Sequence, residues 1–193
     1  MSEPRLLLGH PISMKQNTDG GNIIAVYDAD AGIAGLHADV PESVPTLVTG
    51  SYASGTVIAA TQEIANFFNT AGGVGIVTGF DLLDEEAQNG AMTVIFLDAD
   101  VSIGNEHSAY SISDANAEHM LGRIDIAAAD YKTYGLSGFS RIIYKIYDTQ
   151  VVIPLTIKAA SGTRSLYYGI VNGSGTLIWT GNKLKIKVPA LYP

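Results

Sequence analysis

The sequence contains no cysteine, which excludes disulfide frameworks, thiolate zinc sites and cysteine nucleophiles. Tryptophan occurs once, which weighs against a sugar-binding cleft built on aromatic platforms. Only 11 Lys and Arg stand against 19 Asp and Glu, and no basic cluster offsets the resulting net charge of -8. A surface of that sign repels phosphate, so no nucleic-acid partner is expected. The longest apolar runs, such as Val94 to Leu97, fall far short of a membrane span, so no membrane partner is expected either. The opening Met1-Ser2-Glu3-Pro4-Arg5 lacks the basic and apolar regions of a secretory signal. The expectation is a protein made and kept in a cytosol-like space.

What is present suits one domain with a substantial core. The 193 residues are 47% hydrophobic and 16% charged, and the mean hydropathy is +0.20. Glycine is abundant (21 residues), and Tyr (10) outnumbers Phe (5). Glycine and β-branched or aromatic residues form helices poorly, so the mixture favours short strands joined by tight turns.

Residues 1–45 differ from the remainder. They hold Pro4, Pro11, Pro41 and Pro45, the turn Asp19-Gly20-Gly21-Asn22 and the string Asp28-Ala29-Asp30-Ala31-Gly32, with only Ile23 to Tyr27 reading as a strand. Such a segment is either an extended arm, ordered against a neighbouring subunit, or a strand and loops packed on the chain's own domain. From residue 46 to 193, strand signals recur between turn residues, as in a sandwich or barrel. They fall at Thr46–Val48, Thr56–Ala60, Gly75–Leu83, Ala91–Leu97, Ile124–Ala127, Arg141–Tyr147, Val151–Ile157, Ser165–Val171, Leu177–Trp179 and Lys183–Val188. In the last, Leu184, Ile186 and Val188 alternate with Lys185 and Lys187, which predicts one buried and one wet face. Ala91–Leu97 carries apolar residues on both parities, which predicts a central strand covered on both faces. Ser113 to Gly122 has a capping Ser, early acids and a closing Gly, the marks of a short helix. Ala59–Asn69 fits either a helix or a bent strand. The fold class expected is all-β, an antiparallel β-sandwich with one or two short helical turns and an N-terminal extended arm.

The chemistry-bearing patterns do not converge. Gly135-Leu136-Ser137-Gly138 and Gly173-Ser174-Gly175 miss the nucleophile elbow, and Gly73-Val74-Gly75-Ile76-Val77-Thr78-Gly79 is one residue too long for a dinucleotide fingerprint and precedes a strand. His10, His37, His107 and His119 are scattered, without metal-ligand spacing. Asp28, Asp30 and Asp39 sit as in a calcium loop, but Ile33 occupies the place of its obligatory glycine. Asp81, Asp84, Glu85 and Glu86 form a second acidic cluster, and Asp98 with Asp100 a third; on β-turns such carboxylates are ordinarily solvated turn formers. No catalytic residue, metal ligand or cofactor site is expected. Tyr110, Tyr131, Tyr134, Tyr144, Tyr147, Tyr167 and Tyr168 suit either a β core or an interface. Contacts are expected from the arm at Ile12, Ile23, Ile24 and Tyr27, which can augment a neighbour's sheet edge. The apolar end Ala190-Leu191-Tyr192-Pro193 places Leu191 and Tyr192 in an oligomer seam.

From Tyr52 onward the strings fall in a familiar order. Ser51-Tyr52-Ala53-Ser54-Gly55-Thr56-Val57-Ile58 resembles a Y-x-x-G-D-V-I-G opening, and Ala71-Gly72-Gly73-Val74-Gly75-Ile76-Val77 an A-G-G-S-G-I-I entry to a strand. Leu82-Leu83-Asp84 through Gln88-Asn89-Gly90-Ala91 resembles the turn before an L-x-L-x-x-F-D strand, here Met92-Thr93-Val94-Ile95-Phe96-Leu97-Asp98. Ile112-Ser113-Asp114-Ala115-Asn116-Ala117, the step Leu121-Gly122-Arg123-Ile124 and Ala129-Asp130-Tyr131 follow. Arg164-Ser165-Leu166-Tyr167-Tyr168-Gly169-Ile170-Val171 is similar to T-x-L-Y-G-x-L-V. Together they resemble the head decoration, or capsid cement, proteins of tailed bacteriophages, with departures at Thr56 and Ala59, where that family often carries Asp and Gly.

The resemblance implies a jelly-roll-like sandwich that forms a homo-oligomer, dimer or trimer. It implies assembly in the host cytoplasm, a place on the capsid exterior of the virion, and cross-linking of the major capsid protein without an enzymatic activity. The other class that the residues allow is a carbohydrate-binding, adhesion or tail β-module.

Overall fold

A computed structural model describes residues 37–39, 41–132, 140–145 and 155–192, with side chains for 41–132 and 155–192. Ile12, Ile23, Ile24 and Tyr27 lie outside the described residues. The strands are β1 (His37–Asp39), β2 (Glu42–Ser43), β3 (Gly50–Tyr52), β4 (Val57–Ile64), β5 (Val74–Val77), β6 (Gly79–Asp84), β7 (Met92–Leu97), β8 (Met120–Ile126), β9 (Ser140–Lys145), β10 (Leu155–Lys158), β11 (Leu166–Asn172), β12 (Leu177–Trp179), β13 (Leu184–Lys187) and β14 (Ala190–Tyr192). A single helical turn, α1 (Asp114–Ala117), and a 3-10 turn at Ala128–Asp130 complete the described elements. The protein is all-β, as the composition predicts.

The pairing follows one rule. His37 lies opposite Tyr192, Ser43 opposite Ile186, Tyr52 opposite Leu177, and Ile64 opposite Leu166. Further along, Val77 faces Leu155, Phe80 faces Tyr144, Met92 faces Ile126 and Leu97 faces Met120. Residue numbers rise on one side as they fall on the other, so the described strands form one long antiparallel hairpin that closes through residues 98–119. Additional ladders, β11 to β7, β13 to β6 and β14 to β5, wind that ribbon on itself. The outcome is a sheet ordered β4-β11-β7-β8 packed on a second sheet built from β1-β14-β5-β10 and β2-β13-β6-β9. That strand order is the jelly roll, a double-sheet solution to the problem of bare edges.

The second sheet bends where its two halves join. Thr78, the pair Val188-Pro189, and Pro41 sit at the join, and proline has no amide to give to a ladder. Thr78 N donates to Pro189 O at 2.9 Å and Val188 N to Pro41 O at 3.1 Å, so bonding continues across the bend. Lys187 faces Asp81 while Ala190 faces Val77, which leaves one extra residue on the β5–β6 side, a bulge. The expected single strand Gly75–Leu83 is therefore two strands.

Alternation decides what is buried. Leu184, Ile186 and Val188 point into the core, with Lys185 and Lys187 on the outer face. β7 is covered on both sides: Val94 and Phe96 enter the main core between the sheets. Ile95 and Leu97 join Val57, Ile103 and Val171 in a smaller cluster beneath Val101, Tyr110 and Ile112.

Two further expectations are corrected and one open alternative is resolved. The helix expected over Ser113–Gly122 stops after one turn: Ser113 Oγ caps Asn116 N at 3.2 Å, but the β7–β8 ladder claims the chain from Met120. Ala59–Asn69 is strand as far as Ile64 and then turns at Asn66, whose φ is 55°. Thr46–Val48 is not a strand; side chains take its amides, with Leu47 N bonded to Asn182 Oδ1 at 2.7 Å and Val48 N to Glu106 Oε2 at 2.8 Å. The sheets also take in His37–Asp39 and Glu42–Ser43, N-terminal to the compositional boundary at residue 45.

Candidate interaction surfaces

The outer face of the bent sheet is the first candidate. Pleating turns Phe80, Leu82 and Val77 inward, so Asp81, Leu83, Ile76 and Val74 face outward. Across one row Glu42 faces Lys187 and Lys187 faces Asp81; in the next, Lys185 faces Leu83. Lys187 Nζ pairs with Glu42 Oε2 at 2.9 Å, and Lys185 Nζ with Glu85 Oε1 at 2.6 Å. The hydrogen bond from Lys185 holds the Glu85 carboxyl below its ordinary range, and the same contact raises Lys185. Glu42, Asp81, Leu83, Lys185 and Lys187 line a shallow trough of about 230 Å³. Beyond the bend the same face is mixed, with Lys158 opposite Val74 and Thr156 opposite Ile76. Val74 is 40% exposed, and the half-buried Leu191 stands directly opposite Ile76.

The two C-terminal residues expected at a seam thus part company. Leu191 lies on this outer face, whereas Tyr192 is buried in the chain's own core, its ring edge-on to Phe67 at 5.8 Å.

A second feature is the clasp at Tyr52. Its ring stacks on His107 at 4.1 Å and 13°, and its hydroxyl donates to Val48 O at 2.6 Å and reaches Glu106 Oε2 at 3.4 Å. Burial, then the Glu106 carboxylate, push this hydroxyl above its ordinary value, so it remains a donor. His107 adopts a φ of 61° and a Cβ on Gly50 would press on its ring at 2.8 Å, so the clasp depends on that glycine. In the sequence His107 is one more scattered histidine; its ring contact depends on a long-range fold and leaves no local signal.

A third feature is the turn after β6. Asp84 is buried, and its carboxylate accepts Glu86 N and Asn89 N, each at 3.0 Å. Burial, the larger influence, lifts its pKa, and the surrounding amides pull it back down. Glu86 accepts Thr180 N at 3.1 Å and its hydroxyl, and Gln88 Oε1 accepts Ile178 N at 3.0 Å. The acidic cluster read from the sequence is thereby dispersed: Asp81 faces outward, Asp84 inward, Glu85 meets lysines and Glu86 meets β12. Asp98 binds His119 Nδ1 at 2.7 Å. Among the described residues no group of three or more His, Asp or Glu is placed to hold a metal ion.

The strand order and these surfaces define an all-β jelly-roll module. No family model matches the chain, and no curated protein matches it. Among solved structures, a cleaved adhesin domain of Lys-gingipain from Porphyromonas gingivalis is 11% identical, with a TM-score of 0.24 over 89% of this chain and 72% of that chain. The infectious bursal disease virus VP2 subviral particle is 12% identical, with a TM-score of 0.30 over 93% of this chain and 40% of that chain. Likenesses of this size carry no functional weight.

Proposed function

We propose that this protein is a structural virion component that binds the outer surface of a phage capsid and stabilises it by cross-linking capsid subunits. The observation that carries the reading is the outer face of the bent sheet, where Val74, Ile76 and Leu191 on one side of the bend adjoin Leu83 and the ion-paired Glu42, Lys185 and Lys187 on the other. Such a face offers apolar area for adhesion and charges for register, and it asks for no chemistry. Supporting it, the strings that resemble capsid cement proteins occupy β3 to β4, β5, β7, α1, β8 and β11 in order. Apolar burial at each site is modest, and repetition over a lattice multiplies it, because each further contact of an oligomer is intramolecular. The reading assigns no catalytic residue, and it places the protein on the capsid exterior as a homo-oligomer.

Co-sedimentation with phage heads stripped of this protein tests the proposal. Saturable binding that restores the heads' resistance to heat or chelator is the expected result. Absence of binding to intact heads, together with retention on a glycan array, would replace the reading with that of a carbohydrate-binding module.

A further inference from the structure

β12 pairs with β3 on one side: Leu177 faces Tyr52, Ile178 faces Ser51 and Trp179 faces Gly50. Its other edge presents the amides of Ile178 and Thr180, two residues apart. Among the described residues no backbone strand takes them; Gln88 Oε1 and the Glu86 carboxylate do, at 3.0 Å and 3.1 Å. The two acceptors are themselves two residues apart, the spacing at which carbonyls of an antiparallel neighbour would arrive. Asp84 fixes the turn that carries them, through the amides of Glu86 and Asn89.

We infer that the Glu86–Gln88 turn is a strand mimic that keeps the β12 edge closed, and that the edge beneath it is a latent pairing surface for a second copy of this chain. An open edge is a template for another strand, and proteins cover such edges with charge. The second copy is the fitting occupant because the edge is self-complementary. In antiparallel pairing about a twofold axis, Ile178 of one copy stands beside Thr180 of the other, and each offers the amide and carbonyl that the other requires. Ile178 is 54% exposed, so its apolar side chain is already free to be covered by that partner. Glu86 supplies the opposing term: two copies of a chain with net charge -8 meet at this edge with a carboxylate on each side. The inference stands apart from capsid binding, since it concerns a different edge and needs no lattice.

The test is sedimentation velocity of the full chain from micromolar to near-millimolar concentration, wild type against Glu86→Ala/Gln88→Ala. The expected result is self-association stronger than wild type by about tenfold or more, with hydrogen exchange at the Ile178 and Thr180 amides slowing as concentration rises. Wild-type sedimentation throughout the range overturns the inference. So does association that leaves those two amides unprotected, because the seam then lies elsewhere. Should the double variant lose its circular-dichroism signature, Gln88→Ala alone serves. Its Ile178 amide must exchange faster than wild type in dilute solution and slow with concentration, and exchange independent of concentration overturns the inference.

Discussion

At the scale of single residues, Asp84 and Gly169 show how far local chemistry depends on distant neighbours. Asp84 reads in the sequence as one of several turn carboxylates, yet it is buried and organises the turn around it. Its pKa is raised above the ordinary 3.8 because burial outweighs the donated amides. A raised folded value means that the folded state favours the protonated form. Its contribution is therefore fullest below about pH 3.8 and is lost as pH rises through the folded value. In urea melts, the wild type is expected to gain stability relative to Asp84→Asn as pH falls from 7 towards 4; a relative loss would contradict the assignment. Gly169 lies on β11 beneath Ile103, where a Cβ would overlap Ile103 Cδ1. Gly169→Ala should cost about 1–3 kcal/mol by overpacking, measured by the same melts.

At the scale of elements, the sequence disclosed what alternation alone determines. The wet and buried faces of β13 and the double burial of β7 were both readable, because side-chain parity is a local property. Ends and breaks were less readable. Ser113 announces a helix, but the ladder that begins with Leu97 opposite Met120 outcompetes its continuation. The break at Thr78 lies beside Pro189, between β13 and β14, which in turn neighbours Pro41, between β1 and β2, and no reading of residues 75–83 contains either. The segment between β7 and α1 is an element in its own right, since Val101, Ile103, Tyr110 and Ile112 roof the outer face of β7 and β11. Ile103→Ala is expected to cost about 2–4 kcal/mol by opening a cavity there. Hydrogen exchange should then quicken for residues 101–112 ahead of β13, and uniform loosening would argue that the roof is not a separate unit.

At the scale of the whole molecule, strand order was beyond the sequence. His37 pairs with Tyr192, and no period in the chain links two positions so far apart. The sandwich class was legible; the jelly-roll winding entered as an expectation through resemblance and is now seen in the pairing of an ascending half with a descending half. The candidate face was legible only in part. Leu191 was singled out as an apolar residue near the chain end, while its alignment with Ile76, Val74 and Leu83 required the sheet. If that face meets the capsid, Val74→Asp should weaken binding to stripped heads by about tenfold or more. Because Val74 is 40% exposed, the substitution should leave the thermal melt within a few degrees of wild type.

The most direct test of the capsid reading is cryo-electron microscopy of stripped heads reloaded with the purified protein. The account predicts added density at symmetry-related positions on the outer shell, with the face carrying Val74, Ile76 and Leu191 turned towards the capsid. Reloaded heads whose shell shows no added density, or density that presents the opposite sheet, would contradict it.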